Sequence, residues 1–112
     1  MISNSTFYHN DVGIYIVGGV PPIGSIKNSI MDNFTANCSG SFYHELPIPR
    51  GMNFATDNTC SPGFIQVTSA ELNLGPLANN GGPTQTHALL TGSVAIDAAT
   101  DCTDVNNNPI TQ

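Results

Sequence analysis

The sequence predicts an all-β chain: the end of a parallel β-solenoid, in which short strands stack rung upon rung, closed by a loop-rich carboxy-terminal cap. Three observations lead there. Of 112 residues only 9% are Asp, Glu, Lys or Arg, where a soluble domain carries roughly 25%. Polarity comes instead from 13 Asn, 11 Thr and 9 Ser, which is not how the surface of a helical bundle is made. A repeat recurs at intervals of 24 and 25 residues. The last third is rich in Gly and Pro, too interrupted for a helix and too apolar for a free tail.

The repeat begins with Ile2-Ser3-Asn4-Ser5-Thr6-Phe7, matched 24 residues on by Ile26-Lys27-Asn28-Ser29-Ile30-Met31; Met52-Asn53-Phe54 then repeats the apolar–Asn core. Between the first two lies Gly13-Ile14-Tyr15-Ile16-Val17-Gly18-Gly19, a β-branched and aromatic run bounded by glycines. A period in the twenties with two strand-like segments reads as one solenoid rung. Rungs stack about 4.8 Å apart, so like residues sit above like. An amide column of Asn4, Asn28 and Asn53 can then bond along the stack, whereas stacked charges repel. Ile2, Ile14, Ile16, Ile26 and Ile30 are the candidate inward stacks. Val20-Pro21-Pro22-Ile23-Gly24 reads as a loop, because prolines remove ladder donors. Rungs are expected over 1–67, with an irregular excursion over 35–62 around Pro47 and Pro49. Phe64-Ile65-Gln66-Val67 reads as a further strand, and the cap as 68–112.

The net charge is −6, with Lys27 and Arg50 the only basic residues. That removes the electrostatic footprint for nucleic acid or an anionic membrane surface. No apolar stretch nears the roughly 20 residues of a spanning helix, and the start lacks a signal-peptide pattern. Cys38 and Cys60 sit in turn-rich flanks, Asn37-Cys38-Ser39-Gly40 and Asn58-Thr59-Cys60-Ser61-Pro62, and read as a disulfide tying the ends of the excursion. No Cys/His spacing supports zinc. Cys102 is left over, which calls for a partner on another chain or on a further part of this one.

Candidate chemistry is sparse. Asp101, Asp104, Asn106, Asn107 and Asn108 make an oxygen-rich stretch, and such loops can hold calcium. Asp101, Asp104 and Asn106 are the candidate ligands, but without a bidentate Glu or the EF-hand Gly the stretch reads first as a solvated turn. No cofactor is implied. Glycosidic cleavage needs two carboxylates ~5–9 Å apart, and the rungs carry only Asp11, Asp32 and Lys27, with no repeated acid/base pair. Asp97, beside Ile96, reads as a cap for local backbone N–H groups. His87 reads as packed or surface; His9 and His44 are isolated. Tyr8, Tyr15 and Tyr43 form a sugar-stacking surface if they share a face. Three sequons begin at Asn4, Asn33 and Asn37 and matter only in a host that glycosylates.

In the last third, Asn79-Asn80-Gly81-Gly82-Pro83 is a tight turn. His87-Ala88-Leu89-Leu90 reads as a brief apolar turn or 3₁₀ segment, and Ser93-Val94-Ala95-Ile96-Asp97 as a short strand or docking segment. The run from Leu74-Gly75-Pro76-Leu77 through Asn79-Asn80-Gly81-Gly82-Pro83-Thr84-Gln85-Thr86-His87-Ala88-Leu89-Leu90 to Asp97-Ala98 resembles the carboxy-terminal region of the choice-of-anchor family of bacterial and archaeal surface proteins. The resemblance is to the type that follows right-handed parallel β-helix repeats. Asn4-Ser5-Thr6-Phe7, Gly13-Ile14-Tyr15, Lys27-Asn28-Ser29-Ile30 and Asn37-Cys38-Ser39-Gly40 are similar to its rung segments, and Met52-Asn53-Phe54 to its lead-in.

The resemblance implies a right-handed parallel β-helix fragment at the non-catalytic, structural or adhesion-type end of a secreted or cell-surface protein. Family members continue past the position of Gln112 with an Asp-Gln-Arg-Gly segment and a cysteine. It therefore also implies a fragment, with upstream rungs and a downstream tail as partners and the mate of Cys102 in that tail. Self-association through an exposed first rung is expected, and surface glycans are a further candidate partner. A carbohydrate-binding or polysaccharide-cleaving β-helix module is the competing expectation.

Overall fold

Short apolar and β-branched runs broken by Asn and Gly corners become strands here, because each corner residue can turn the chain where a bulkier one could not. The computed structural model describes residues 2–17, 24–40, 48–101, 103 and 106–109. Val20–Ile23 of the expected proline loop, Tyr43, His44, Pro47, Cys102 and Asp104 lie outside the described residues. The strands are β1 (Ile2–Ser3), β2 (Thr6–Tyr8), β3 (Val12–Ile16), β4 (Ser25–Lys27), β5 (Ile30–Asp32), β6 (Ala36–Gly40), β7 (Ile48–Arg50), β8 (Phe54–Ala55) and β9 (Ile65–Gln66). A four-residue helix, α1 (Ser69–Leu72), leads into β10 (Leu74–Ala78) and β11 (Thr86–Leu89).

The all-β expectation fits this strand content; the right-handed parallel β-helix solenoid does not. The strands fall into four separate short sheets of two to four strands, ordered β1-β4-β7, β2-β5-β8-β9, β3-β6 and β10-β11. The first three are parallel and the last antiparallel. Two local causes stop the strands from continuing as a regular coil. The backbone N–H groups of Asn37 and Cys38 in β6 donate to the Asp57 carboxylate (3.0 Å) and the Thr59 hydroxyl (2.9 Å), so side chains occupy that edge of β6 in place of another strand. Beyond β9, α1 is fixed by a capping box: Thr68 and Glu71 each accept from the other's backbone N–H. Asn73 ends it with a left-handed φ of 44°, and β10 and β11 pair only with each other.

Other expectations change in detail. The stretch 35–62, expected to be irregular, carries β6, β7 and β8. His87-Ala88-Leu89 belongs to strand β11, not a turn, because Leu74↔Leu89 and Leu77↔His87 pair across the hairpin. Residues 94–97 are turns, docked where the Val94 N–H donates to the Glu71 carbonyl (3.0 Å).

The core is small. Ile26, Met31, Ala55, Cys38 and Cys60 are buried together, with Ile2, Phe7, Ile14 and Phe64 packed around them. Phe7, Met31 and Ala55 are register partners across three parallel strands, so Met31 and not Ile30 is the fully buried apolar member of β5. Ile26 fills the same role between Ile2 and Pro49.

Candidate functional site

Three groups of polar side chains and one row of rings are the places where this chain concentrates chemistry. The first lies at the corner between the first two parallel sheets. Asn4 and Asn28 both take a left-handed φ of 50° and are equivalent, since β1–β4 and β2–β5 share an offset of 24 residues. Asn53 is not their equivalent. β4 and β7 pair at an offset of 23, with Lys27 opposite Arg50, while β5 and β8 pair at 24, with Ile30 opposite Phe54. The third corner is therefore one residue longer, and Asn53 stands level with Ser29. The amides act on backbone rather than on one another: Asn28 Oδ1 accepts from the Met52 N–H (3.0 Å) and Asn53 Oδ1 from the Ser29 N–H (3.1 Å). Ser29 Oγ in turn accepts from the Ser5 N–H (3.3 Å).

A second group, which periodicity alone did not single out, is a relay of amides at the next corner. Asn10 Nδ2 donates to Asn33 Oδ1 (2.9 Å), Asn33 Nδ2 to Asn37 Oδ1 (2.9 Å), and Asn37 Nδ2 to Thr56 Oγ1 (3.1 Å). Asn33 fits because Gly13 faces it: a Cβ there would lie 2.5 Å from Asn33 Nδ2. The signal that could have found it is Asn10-x₂₂-Asn33-x₃-Asn37 opposite a glycine, but those spacings match no single period. Beside the relay, the Cys38–Cys60 disulfide joins β6 to the turn after β8. Burial pushes the Asp57 carboxyl up, but hydrogen bonds from Thr59 and Asn37 outweigh it and hold the group below the usual carboxylate range.

The third group is a strap. Lys27 is buried in β4, and its Nζ reaches Asp101 Oδ2 (2.9 Å) and Thr103 Oγ1 (2.5 Å). Asn28 Nδ2 donates to Asp101 Oδ1 (3.1 Å). The Asn28 amide and the Lys27 ammonium hold the Asp101 carboxyl below its usual range. Of the calcium candidates, Asp101 is thus engaged by a cation, Asn106 is exposed, and Asp104 lies outside the described residues. Among the described residues no group of three His, Cys, Asp or Glu could hold a metal ion.

The remaining carboxylates are apart in role. Asp11 accepts from the Thr35 hydroxyl, Asp32 accepts from Ser69 Oγ (2.9 Å), and Asp97 sits exposed at a left-handed φ of 56°. Tyr8 contacts His9 and His87, while Tyr15 stands 67% exposed on β3. The rings that come together are Phe34, His9, Tyr8 and His87. His87 also holds its own hairpin, its Nδ1 lying 2.8 Å from the Gly75 carbonyl. Of the sequon asparagines, Asn4 is exposed, Asn33 half-buried and Asn37 fully buried.

Among the described residues no helix is long and apolar enough to cross a membrane. No family model, curated protein or solved structure matches this chain.

Proposed function

We propose that the chain is a non-catalytic structural module of an exported, surface-associated protein. The observation that supports this best is how its buried and half-buried polar side chains are used. Asn28, Asn37, Asn53, Ser29 and Lys27 each spend their polar atoms fastening one segment to another, leaving them unavailable for turnover. A disulfide, stable in oxidising compartments and rare in reducing ones, agrees with export. β1, β2 and β3 are each the end strand of a sheet, and such edges accept a further strand from a partner or a second copy. This is the attachment surface the reading assigns.

The reading is tested by two assays on the intact chain. Thiol trapping in producing cells should find Cys38 and Cys60 oxidised; a reduced pair in the folded native protein contradicts export. Reducing-end and unsaturated-product assays on neutral and uronate polysaccharides should be blank. Turnover that disappears in Asp32→Asn or Asp97→Asn overturns the non-catalytic role.

A further inference from the structure

The four rings form a strip running from the parallel strands to the hairpin. The Phe34 ring centroid lies 4.8 Å from that of His9, with planes 26° apart. His9 stacks on Tyr8 at 3.7 Å and 17°, and Tyr8 meets His87 at 4.6 Å and 57°. The strip is built by the fold: His9 holds a left-handed φ of 56° at the corner after β2, a conformation that costs a non-Gly residue energy. Leu77, the register partner of His87, shares its face of the hairpin and extends the strip. Its two ends are open, with Phe34 72% and Leu77 56% exposed.

Exposed polar groups adjoin the Phe34 end. Thr35 is its chain neighbour and hydrogen-bonds Asp11, and the Asn10 amide is bonded to Asn33, the neighbour on the other side. An open aromatic face beside an amide, a hydroxyl and a carboxylate is complementary to a pyranose, which has an apolar C–H face and a rim of hydroxyls. Charge narrows the choice. The chain carries −6 with two basic residues, of which Lys27 is buried in its ion pair, so polyanionic sugars are repelled. A protein partner needs an interface of about 1,000 Å², whereas the strip is a single row of five side chains, of which Tyr8 and His87 are half-buried.

We propose that the strip Phe34–His9–Tyr8–His87–Leu77 binds a neutral pyranose glycan, stacking it on Phe34 and hydrogen-bonding it through Asn10, Asp11 and Thr35. This adds a ligand to the structural role and does not rest on it. The test is affinity electrophoresis of the full chain through gels holding a β-glucan, a mannan, a galactan or a soluble chitin derivative, with polygalacturonate and alginate as anionic comparisons. At least one neutral gel should retard the protein and the anionic gels should not. Phe34→Ala should weaken retention about tenfold, the loss of one ring contact of roughly 1.4 kcal/mol, while Phe34→Tyr keeps it. Tyr15→Ser, off the strip, should leave it unchanged. His9→Asn, which keeps the left-handed corner, reads the same strip should Phe34→Ala fail to fold. No retardation in any neutral gel, retardation indifferent to both strip variants, or equal retardation by the uronates overturns the proposal.

Discussion

Replacing Asn37 by Leu tests whether the amide relay, and not apolar contact alone, holds the parallel strands together. Asn37 is 0% exposed. Its Oδ1 accepts from both the backbone N–H (3.1 Å) and Nδ2 (2.9 Å) of Asn33, and its Nδ2 donates to Thr56 Oγ1 (3.1 Å). Leucine has a similar volume, so the change removes three hydrogen bonds and opens no large cavity. Each bond contributes about 1 kcal/mol net, and a buried donor left without a partner costs about 1–3 kcal/mol more. Asn33 is only half-buried, so water recovers part of that loss, and the leucine side chain returns on the order of 1 kcal/mol by apolar burial. The expected destabilisation is roughly 3 kcal/mol. For a chain of 112 residues that is a large part of a total on the order of 6–17 kcal/mol. Urea unfolding followed by circular dichroism measures it. A cycle with Asn33→Ala should show coupling of about 1–2 kcal/mol, because the two amides share their bonds. An Asn37→Leu variant within about 1 kcal/mol of the parent at unchanged m-value, or strict additivity with Asn33→Ala, refutes the relay.

Removing the disulfide by Cys38→Ser should cost about 3 kcal/mol, the chain-entropy value for closing a loop of this length, given the sequence separation of 22; an unchanged urea midpoint opposes this. Gly13→Ala should destabilise by about 1–3 kcal/mol, since its Cβ would meet Asn33 Nδ2 at 2.5 Å and the Asn37 carbonyl at 2.7 Å. Gly82→Ala, whose nearest neighbour is 3.8 Å away, is the control and should be nearly neutral in the same melt. For pH, Asp57 is held below the ordinary carboxylate value of about 4. The unfolded state then binds the proton more readily, so the Asp57 contribution is complete above that value and is lost as pH falls through the lower folded pKa. Melting temperature should therefore drop on acidification below about pH 4, and Asp57→Asn should flatten that slope while lowering stability at neutral pH; an equally steep acid limb in the variant contradicts it. Light scattering should show concentration-dependent association through the β1–β3 edge, weakened by Ser3→Lys, since an edge lysine opposes strand addition. A monomer at every concentration contradicts that surface.

How far the sequence could be read is clearest at Asn53. The sequence places an apolar–Asn pair 25 residues after Asn28 and invites one column of three amides. In the structure the extra residue is a corner insertion, so Asn53 works one position along, at Ser29. Spacing shows that an amide recurs; which backbone it serves depends on strand register, to which a single residue makes all the difference. The Asn10–Asn33 link of the relay and the ion pair of buried Lys27 with Asp101 escape any local pattern for a related reason: the partners are 23 residues apart in the first case and more than 70 in the second. The aromatic site shows the limit from the other side: residue type points to Tyr8, Tyr15 and Tyr43, yet the rings that meet are Phe34, His9, His87 and, of those tyrosines, Tyr8.

By itself the sequence determined the β character, which rests on local conformational preference and residue type, and it pointed to the Cys38–Cys60 disulfide through the turn-rich flanks of those two cysteines. Only the tertiary structure decided that the strands form four short sheets and not a continuous solenoid. The N–H groups of Asn37 and Cys38 in β6 are claimed by Asp57 and Thr59, and the last strands turn antiparallel upon each other. A backbone donor takes whichever acceptor the fold brings within reach, and that competition is settled by three-dimensional proximity, not by the residues on either side of it.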